Sequence, residues 1–367
     1  MENIVTFLEK IEDPRNPKGI RHNQTVTLLI MIMAIMCGHT GLNAMARFAK
    51  SHKETLLKFM PLPRKKVPSS STIKRLSKAI DFEQLCNAFN DWMIQDCKEE
   101  GIAIDGKSIN STVSSCHNSK QNFVSLVSFF GQQSRLIWHV GKLENGKSSE
   151  ITKVQQLLKM FKIKHCIFTL DALHCQKKTV TTIVESDNGY VITVKKNQPK
   201  LYSSITEQTQ TPAEDSFSWK QEGHGHNVKC RIKVWPAPET MIDQWTGLSK
   251  VISVTRKGHR DGKDFCKPTY YITSEAISAY RLSKLIRGHR KIENNLHWTK
   301  DVILNEDNCQ ISEPNQAATL GVMRNIGFNL HIMQGLSSIT EAISPVEGQI
   351  DKLWEIITTP VKKAFNF

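Results

Sequence analysis

The sequence predicts an α/β fold: a mixed β-sheet with flanking helices, preceded by a helical region and interrupted by a β-rich insertion. Three patterns predict it. Helical periodicity runs to about residue 95, short apolar runs alternate with helical segments from residue 101, and residues 205–275 contain alternating apolar and polar runs typical of strands. The 367 residues, of which 39% are hydrophobic and 23% charged, are enough for two or three domains of a soluble globular protein.

Residues 1–98 form the first predicted domain, which is helical. A long apolar helix ends near Cys37, and Ser69 is placed to cap a further helix after a proline-rich turn. That further helix would carry Lys74 and Arg75, which could dock in a groove of DNA. A solvated charged face explains the same two residues equally well.

Residues 99–204 predict the first part of the central sheet, and residues 276–367 its second part together with a helical tail. Strands are predicted at 102–108, 123–130, 135–140 and 190–194, with one more ending at Asp171; helices are predicted at 151–161, 176–185 and around Glu293. Three strands followed by alternating helices and strands are typical of a mixed sheet. The β-rich insertion at 205–275 separates the two parts.

The chain is basic, with 49 Lys and Arg against 35 Asp and Glu, and a net charge of +14. Residues 101–210 hold half of this excess, with 14 basic and 7 acidic side chains. The distribution favours a nucleic-acid partner over lysine that merely aids solubility. A phosphate backbone would be attracted to this segment, in a salt-dependent manner.

The nine cysteines include no Cys-x-x-Cys pair, and the sequence has no signal peptide, so a reduced cytoplasmic protein is expected. The most apolar stretch, residues 28–37, is too short to cross a bilayer, and no membrane partner is expected. His165-Cys166 and His174-Cys175 do not have the spacing of a zinc site, and buried core thiols explain the cysteines better.

Three acidic residues are candidates for a metal site. Asp105 and Asp171 lie in or after short apolar runs, and Glu293 lies in a predicted helix. An all-oxygen set suits two Mg²⁺ or Mn²⁺ ions, which can promote both halves of a phosphodiester cleavage. Each aspartate could instead cap a turn, and Glu306 and Asp307 are alternatives to Glu293 as the third ligand.

A series of short motifs then runs through nearly the whole chain. In order they are Asp13-Pro-Arg15, Pro68-Ser-x-x-Thr-Ile-x-Arg75, Asp105-Gly-Lys107, Lys147-Ser-x-Glu-Ile151, Asp171-Ala-x-x-Cys-Gln-Lys177, Tyr190-Val-x-x-Val-Lys-x-Asn-Gln198, Gly223-His-Gly225, Arg287-Gly-His289, Ile292-Glu-Asn294, Leu296-His-Trp298, Asp301-Val302 and Glu306-Asp307. In this order they resemble the H-repeat-associated insertion-sequence transposases, members of the DDE group with a ribonuclease-H-like core.

The resemblance implies that Asp105, Asp171 and Glu293 are the catalytic, metal-binding triad of a DDE transposase. Such an enzyme cleaves double-stranded DNA at the ends of its element and transfers the freed strands to target DNA. It is expected to use two Mg²⁺ or Mn²⁺ ions, to act as a homodimer and to work in the bacterial cytosol at the nucleoid. Two alternatives remain: a transposase-derived DNA-binding protein without transposition activity, and a nuclease that cuts without joining.

The wider group carries the pattern Tyr-x2-Arg-x3-Glu-x6-Lys, in which Glu293 and Lys300 fit the spacing. Ile286 and His289 stand where the tyrosine and arginine would be, and Arg290 stands where the family usually has tryptophan. These departures leave open which side chains contact phosphates. The residues predicted to contact DNA are Lys300, Arg287, Arg290, His289, Lys107, Lys74 and Arg75.

Overall fold

A single nine-stranded mixed sheet forms the centre of the protein. The computed structural model describes residues 3–94, 100–114, 122–223, 226–260, 263–335, 338–343, 346 and 348–359. The strands are β1 Gly101–Ser108, β2 Val124–Gly131, β3 Ile137–Glu144, β4 Ile167–Leu170, β5 Gly189–Val194, β6 Asp215–Gly223, β7 His226–Pro236, β8 Lys250–Arg260 and β9 Lys263–Thr273. Their order across the sheet is β3-β2-β1-β4-β5-β9-β8-β7-β6.

The first five strands have the arrangement of a ribonuclease-H-like core, which confirms the predicted fold class. β1, β2 and β3 form an antiparallel meander, and β4 and β5 add to the other side of β1 in parallel. In the parallel pair, Ala103 of β1 lies beside Thr169 of β4. Because both strands run in the same direction, Asp105 and Asp171, each two residues further on, lie at the same end of the sheet.

The insertion extends the core sheet instead of forming a separate β-unit. β9 pairs antiparallel with β5, with Val191 opposite Thr273, and β8, β7 and β6 follow in sequence as an antiparallel meander. The β-rich character predicted for 205–275 is confirmed. The sequence pattern predicts strands at 228–234, 248–256 and 268–272, the corresponding β7, β8 and β9 are longer, and β6 is not among the predicted strands. Much of its sequence, with Asp215, Ser216 and Lys220 among its residues, lacks the strong apolar alternation expected of a strand.

Helices cover the sheet and form an N-terminal layer. They are α1 Ile4–Glu9, α2 Gln24–Met36, α3 Leu42–Ser51, α4 Lys53–Phe59, α5 Ser70–Ala79, α6 Phe82–Met93, α7 Glu150–Met160, α8 Lys177–Glu185, α9 Pro199–Gln208, α10 Glu239–Ile242, α11 Ala279–His289, α12 Pro314–Ile332, α13 Ile339–Ile343 and α14 Ile350–Thr358. Ser69 caps α5 as predicted, accepting a hydrogen bond from the backbone N–H of Thr72 at 3.3 Å. No helix among the described residues is long and apolar enough to cross a membrane.

The N-terminal layer and the sheet share one hydrophobic core. Residues 26–36 of α2 and residues 316–332 of α12 are all buried, and the two helices pack against each other. Gly321 lets α12 approach β2, since a Cβ there would come within 2.5 Å of Leu126 Cδ1. The predicted boundary between residues 98 and 99 lies outside the described residues.

Two asparagines join the helices to the edge strand β3. Asn329 of α12 accepts a hydrogen bond from the N–H of Ile137 and donates to its carbonyl, both at 2.9 Å. Asn90 of α6 makes the same pair of bonds with Val140, at 2.9 and 3.0 Å. These amides satisfy backbone groups of an edge strand that could otherwise pair with another chain.

The predicted helix around Glu293 is present, but its hydrogen bonding is of the π type. α11 ends at His289, and two π-helical segments follow at Ile292–His297 and Thr299–Ile303. We refer to residues 292–303 as the π-helical segment. π-Helical turns are rare and often occur at functional sites.

Candidate active site

The two predicted aspartates lie together at one end of the sheet. Asp105 is on β1 with its side chain 32% exposed, and Asp171 follows β4 with its side chain 62% exposed. Asp171 is the residue before the short 3₁₀ turn Ala172–His174, and it makes no capping hydrogen bond with its side chain. Capping therefore does not account for this carboxylate.

The electrostatic environments of the two carboxyl groups differ. Burial raises the pKa of Asp105 to about 6, and the charges of Glu150 and Asp171 act in the same direction. The imidazole of His289 holds the pKa of Asp171 below its usual value, in spite of partial burial. Asp105 is therefore part of a group of acids whose negative charge the protein does not fully neutralise.

Glu293 lies between two histidines, each of which contacts one aspartate. His289 Nε2 is 3.7 Å from Asp171 Oδ1, and His297 Nδ1 is 3.5 Å from Asp105 Oδ2. The three residues are spaced by four, so they lie near one face of the helical stretch. Burial, together with Lys300 nearby, lowers the pKa of His297 to about 3, and this histidine is therefore neutral at physiological pH.

A chain of polar groups fixes the position of His289. Gln132 Nε2 donates to Thr169 Oγ1 at 2.9 Å, and Thr169 Oγ1 lies 2.9 Å from His289 Nδ1. The same hydroxyl donates to the carbonyl of Ile102 at 3.4 Å, so Thr169 joins β1, Gln132 and His289 in one polar cluster. Gly288 leaves room for this arrangement, because a Cβ there would come within 2.0 Å of Gln132 Oε1.

Asp171 and Glu293 line a cleft of 480 Å³ that also contains cations. Lys195 directly after β5, Arg256 of β8 and Arg290 contribute positive charge to its walls. Glu293 is exposed to solvent in this cleft. A cleft with acids at one side and cations around them can hold a phosphate group beside a metal ion.

The residues present fit a divalent metal only in part. Asp105 and Asp171 supply hard oxygen ligands, and the raised pKa of Asp105 indicates a charge that a cation would neutralise. Glu293 reaches the same cleft as Asp171. Within the described part of the chain, however, no three His, Cys, Asp or Glu residues are gathered closely enough to hold a metal ion.

The structure corrects the prediction for Lys300. Its side chain is 1% exposed and lies 3.2 Å from the carboxylate of Glu306, which is also buried. A lysine enclosed in this way cannot reach a phosphate. Lys300 therefore has the predicted spacing from Glu293 but forms an internal ion pair with Glu306, which helical spacing alone does not reveal.

Lys107 is also held in ion pairs. Its Nζ lies 2.6 Å from Asp301 and 3.2 Å from Asp307, and its side chain is 11% exposed. The prediction that it contacts DNA is not supported by this position. Glu306 and Asp307, the alternatives to Glu293, each pair with a lysine, whereas Glu293 lines the cleft.

Arg287 and Arg290 line a groove of 510 Å³ next to the cleft, between α11 and the insertion. Arg287 lies over the ring of Trp219, 5.6 Å from its centre. The groove and the cleft share Arg256 and Arg290, so they are continuous. Lys74 and Arg75 lie on α5, far along the chain, and both are exposed.

Sequence reasoning assigned no role to His297, Thr169, Glu150, Lys195 or Arg256. His297 has a spacing of four from Glu293, and Glu150 and Lys195 lie within two of the quoted motifs. The carboxylate of Glu150 lies beside Gly106, and its Oε1 is 3.1 Å from Nε2 of His174. The other residues come together only through the pairing of distant strands.

The order of the first five strands and the acids at their ends define a ribonuclease-H-like α/β protein. Comparison with protein families makes this more specific. Residues 96–330 match the family described as the transposase DDE domain, and residues 5–93 match the region described as associated with it. The chain belongs to the DDE transposase family.

Relatives cover most of the chain. An H repeat-associated protein, YhhI of Escherichia coli (strain K12), provisionally named as a transposase, is 28% identical over 348 residues, covering 90% of each chain. YbfL of the same strain has the same identity and coverage. A solved structure titled as the piggyBac transposase synaptic complex with hairpin DNA aligns with a TM-score of 0.48 and 10% identity, covering 98% of this chain and 80% of that one.

Proposed function

We propose that this protein is an insertion-sequence transposase that cleaves DNA at the ends of its element and joins the freed 3′-hydroxyls to target DNA, with Asp105, Asp171 and Glu293 as its catalytic, metal-binding residues. One observation carries the assignment. His289 and His297 contact Asp171 and Asp105 respectively, and Glu293 lies midway between these histidines on the same helical stretch. We infer from this spacing that the third acid faces the two strand acids.

Glu293 would complete the set by moving toward the two aspartates. It already lines the cleft with Asp171, and it belongs to a π-helical segment, whose hydrogen bonding is less regular than that of an α-helix. Two Mg²⁺ or Mn²⁺ ions, held by the three carboxylates, would supply an activated hydroxyl and take up charge on the leaving oxygen. Binding them would offset the repulsion among these acids.

The remaining side chains of the cleft position the DNA. Arg290, Arg256 and Lys195 present cations to the phosphate to be cleaved. His289, held by Thr169, keeps Asp171 ionised and in a fixed orientation. Arg287 lies further along the adjoining groove and would contact the backbone beyond that phosphate.

The same proposal includes the protein's partners and place of action. Double-stranded DNA is both substrate and target, and a homodimer is expected because two element ends must be processed together. Mass measurement of the complex with end DNA tests the dimer. The protein would act on the chromosome in the bacterial cytosol.

The test uses Asp171→Asn, with Asp187→Asn as a matched control. Asp187 is an exposed aspartate that pairs with Lys164 at 2.7 Å and does not line the cleft. We expect Asp171→Asn to bind element-end DNA with unchanged affinity and to lose nicking of a supercoiled plasmid in Mn²⁺, whereas Asp187→Asn does both. Nicking by Asp171→Asn near the original rate would exclude Asp171 as a metal ligand.

The wild-type protein distinguishes the alternatives in the same assay. Binding without nicking at any Mn²⁺ concentration identifies a transposase-derived DNA-binding protein. Nicking without joined products identifies a nuclease that cuts without strand transfer. Nicked and joined products together support the proposal.

A further inference from the structure

A second large cleft, of 760 Å³, lies between the N-terminal layer and the core, and none of the candidate catalytic residues lines it. One wall is α3 with the residues before it, another is the first half of α5, and the third is the loop of residues 305–313. We refer to it as the interlayer cleft. Two separate regions of the chain therefore enclose one space, which a ligand could contact from both sides.

The interlayer cleft is positively charged. Arg47 of α3 and Lys74 and Lys78 of α5 line it, and all three are exposed. In the described part of the chain, none of the three has a carboxylate within ion-pair distance. Lys74 and Lys78 are four residues apart, so they project from the same face of α5.

The floor of the cleft adds a buried cation. Arg324 lines it with a side chain 3% exposed, and its guanidinium NH1 lies 3.9 Å from Glu306, beyond hydrogen-bond length. The acid in the lining, Glu313, is occupied, because it caps α12 by accepting from the N–H groups of Asn315 and Gln316 at 3.1 and 2.7 Å. Arg324 is itself partnered, because its Nε donates to the Leu304 carbonyl at 3.2 Å, so Arg47, Lys74 and Lys78 are the lining cations that have no carboxylate partner among the described residues.

Amide side chains complete the lining. Asn43, Asn305, Asn308 and Gln310 can each donate a hydrogen bond to an acceptor in the cleft. At the start of α3, Gly41 offers no side-chain cap, so the first N–H groups of that helix also face the cleft without one. Cations combined with neutral donors are the side-chain set that contacts DNA phosphates and sugars.

We infer that the interlayer cleft binds the phosphate backbone of the DNA that this protein processes, at a distance from the bond being cut. This rests on the proposed function and adds a second contact region to it. DNA is the ligand to which the observations point, because the cleft is open to solvent on a chain with a net charge of +14. The contact would hold the N-terminal layer and the core on one duplex.

The inference changes the role predicted for α5. A helix docked in a DNA groove would use Lys74 and its neighbour Arg75 alike. Arg75 does not line the cleft, and its Nε donates to the backbone carbonyl of Ser71 at 3.3 Å. The interlayer cleft instead pairs Lys74 with Lys78, and single substitutions separate the two arrangements.

The experiment measures the affinity of the full-length protein for labelled element-end duplex across a range of salt concentrations. The double variant Lys74→Gln/Lys78→Gln is compared with Lys50→Gln/Lys58→Gln, which removes two exposed lysines of the same layer that lie outside the cleft. Losing two phosphate contacts should reduce the slope of log K against log salt by about 1.8 and weaken binding roughly thirtyfold at 0.15 M salt. The control pair should leave the slope unchanged.

Four outcomes would overturn the inference. Three of them concern duplex binding. They are an unchanged slope in Lys74→Gln/Lys78→Gln, an equal loss in the control pair, and a loss in Arg75→Gln as large as in Lys74→Gln. A fourth is binding of inorganic phosphate or ATP that depends on Lys74 and Lys78 while duplex affinity does not. Because no step measures cleavage, failure of the wild-type protein to nick DNA would contradict the proposed function and leave this result standing.

Discussion

Acid should weaken the contact between α12 and α2, because that contact contains a neutral buried histidine. His331 is 1% exposed and its Nε2 lies 3.0 Å from the carbonyl of Met36, while its Nδ1 has no partner among the residues that the structure describes. The neutral ring with its proton on Nε2 donates to that carbonyl. A second proton on Nδ1 would place an unpaired charge in the core, and burial accordingly lowers the pKa of His331 to about 4.

The size of the effect follows from the two pKa values. The unfolded chain binds a proton at this residue at its ordinary value of about 6.5, whereas the folded chain does so only at about 4. Between these values the unfolded state holds more protons, so stability is fully present above pH 6.5 and falls as the pH decreases toward 4. Integrated from pH 7 to pH 4.5, His331 alone lowers the free energy of unfolding by about 2 kcal/mol.

The measurement is urea unfolding followed by tryptophan fluorescence at pH 7 and pH 4.5, for the wild type and for His331→Gln. Glutamine can donate to the Met36 carbonyl but takes up no proton, so the variant should be less stable at pH 7 and lose about 2 kcal/mol less than the wild type on acidification. Comparing the two proteins cancels other titrating groups, including His139, whose pKa burial also lowers to about 4. Equal losses in both proteins would refute the reasoning.

Three further predictions concern the site and its surroundings. Thr169→Val removes the group that positions His289, and we expect metal-dependent nicking to fall about tenfold at unchanged DNA affinity; unchanged nicking would show that the threonine has no such role. Mn²⁺ at a hundredfold excess over its Kd should stabilise the wild type by about 2.7 kcal/mol in thermal unfolding, and Asp105→Asn should abolish the increase. Lys300→Met removes the cation that pairs with the buried carboxylate of Glu306, so it should lower the free energy of unfolding by about 3 kcal/mol. The affinity of the folded variant for DNA should be unchanged. A variant of full stability and reduced affinity would instead support the prediction that Lys300 contacts a phosphate.

Most strands and helices could be predicted because their patterns are local. Buried strands such as β1 and β4 are short apolar runs, and Ser69 before α5 is a typical helix cap. The fold class then followed from the order of the elements. The extension of the sheet by the insertion did not, because it depends on the pairing of β5 with β9, which are far apart in the sequence.

The site residues were predictable only where a side chain of the right chemical type lay within or beside a local sequence pattern. Asp105 and Asp171 stood out because each lies within or directly after an apolar strand, and parallel pairing brings the strands together. The π-helical hydrogen bonding near Glu293 could not be predicted, because a spacing of four residues is compatible with both an α-helix and a π-helix. The burial of Lys300 depends on Glu306, and a charged residue enclosed by its partner has no distinguishing mark in the sequence.

The packing of α2 against α12 also determines what a broken copy of the gene can produce. A reading frame interrupted before residue 314 would yield the N-terminal helices without the one that covers α2. Such a fragment would expose a long hydrophobic surface to water, and it would be degraded by proteases or aggregate. Interrupted copies of the gene should therefore not produce a stable protein that competes for the element's ends. Expressing residues 1–313 beside the intact protein and measuring the half-life of this fragment tests the prediction.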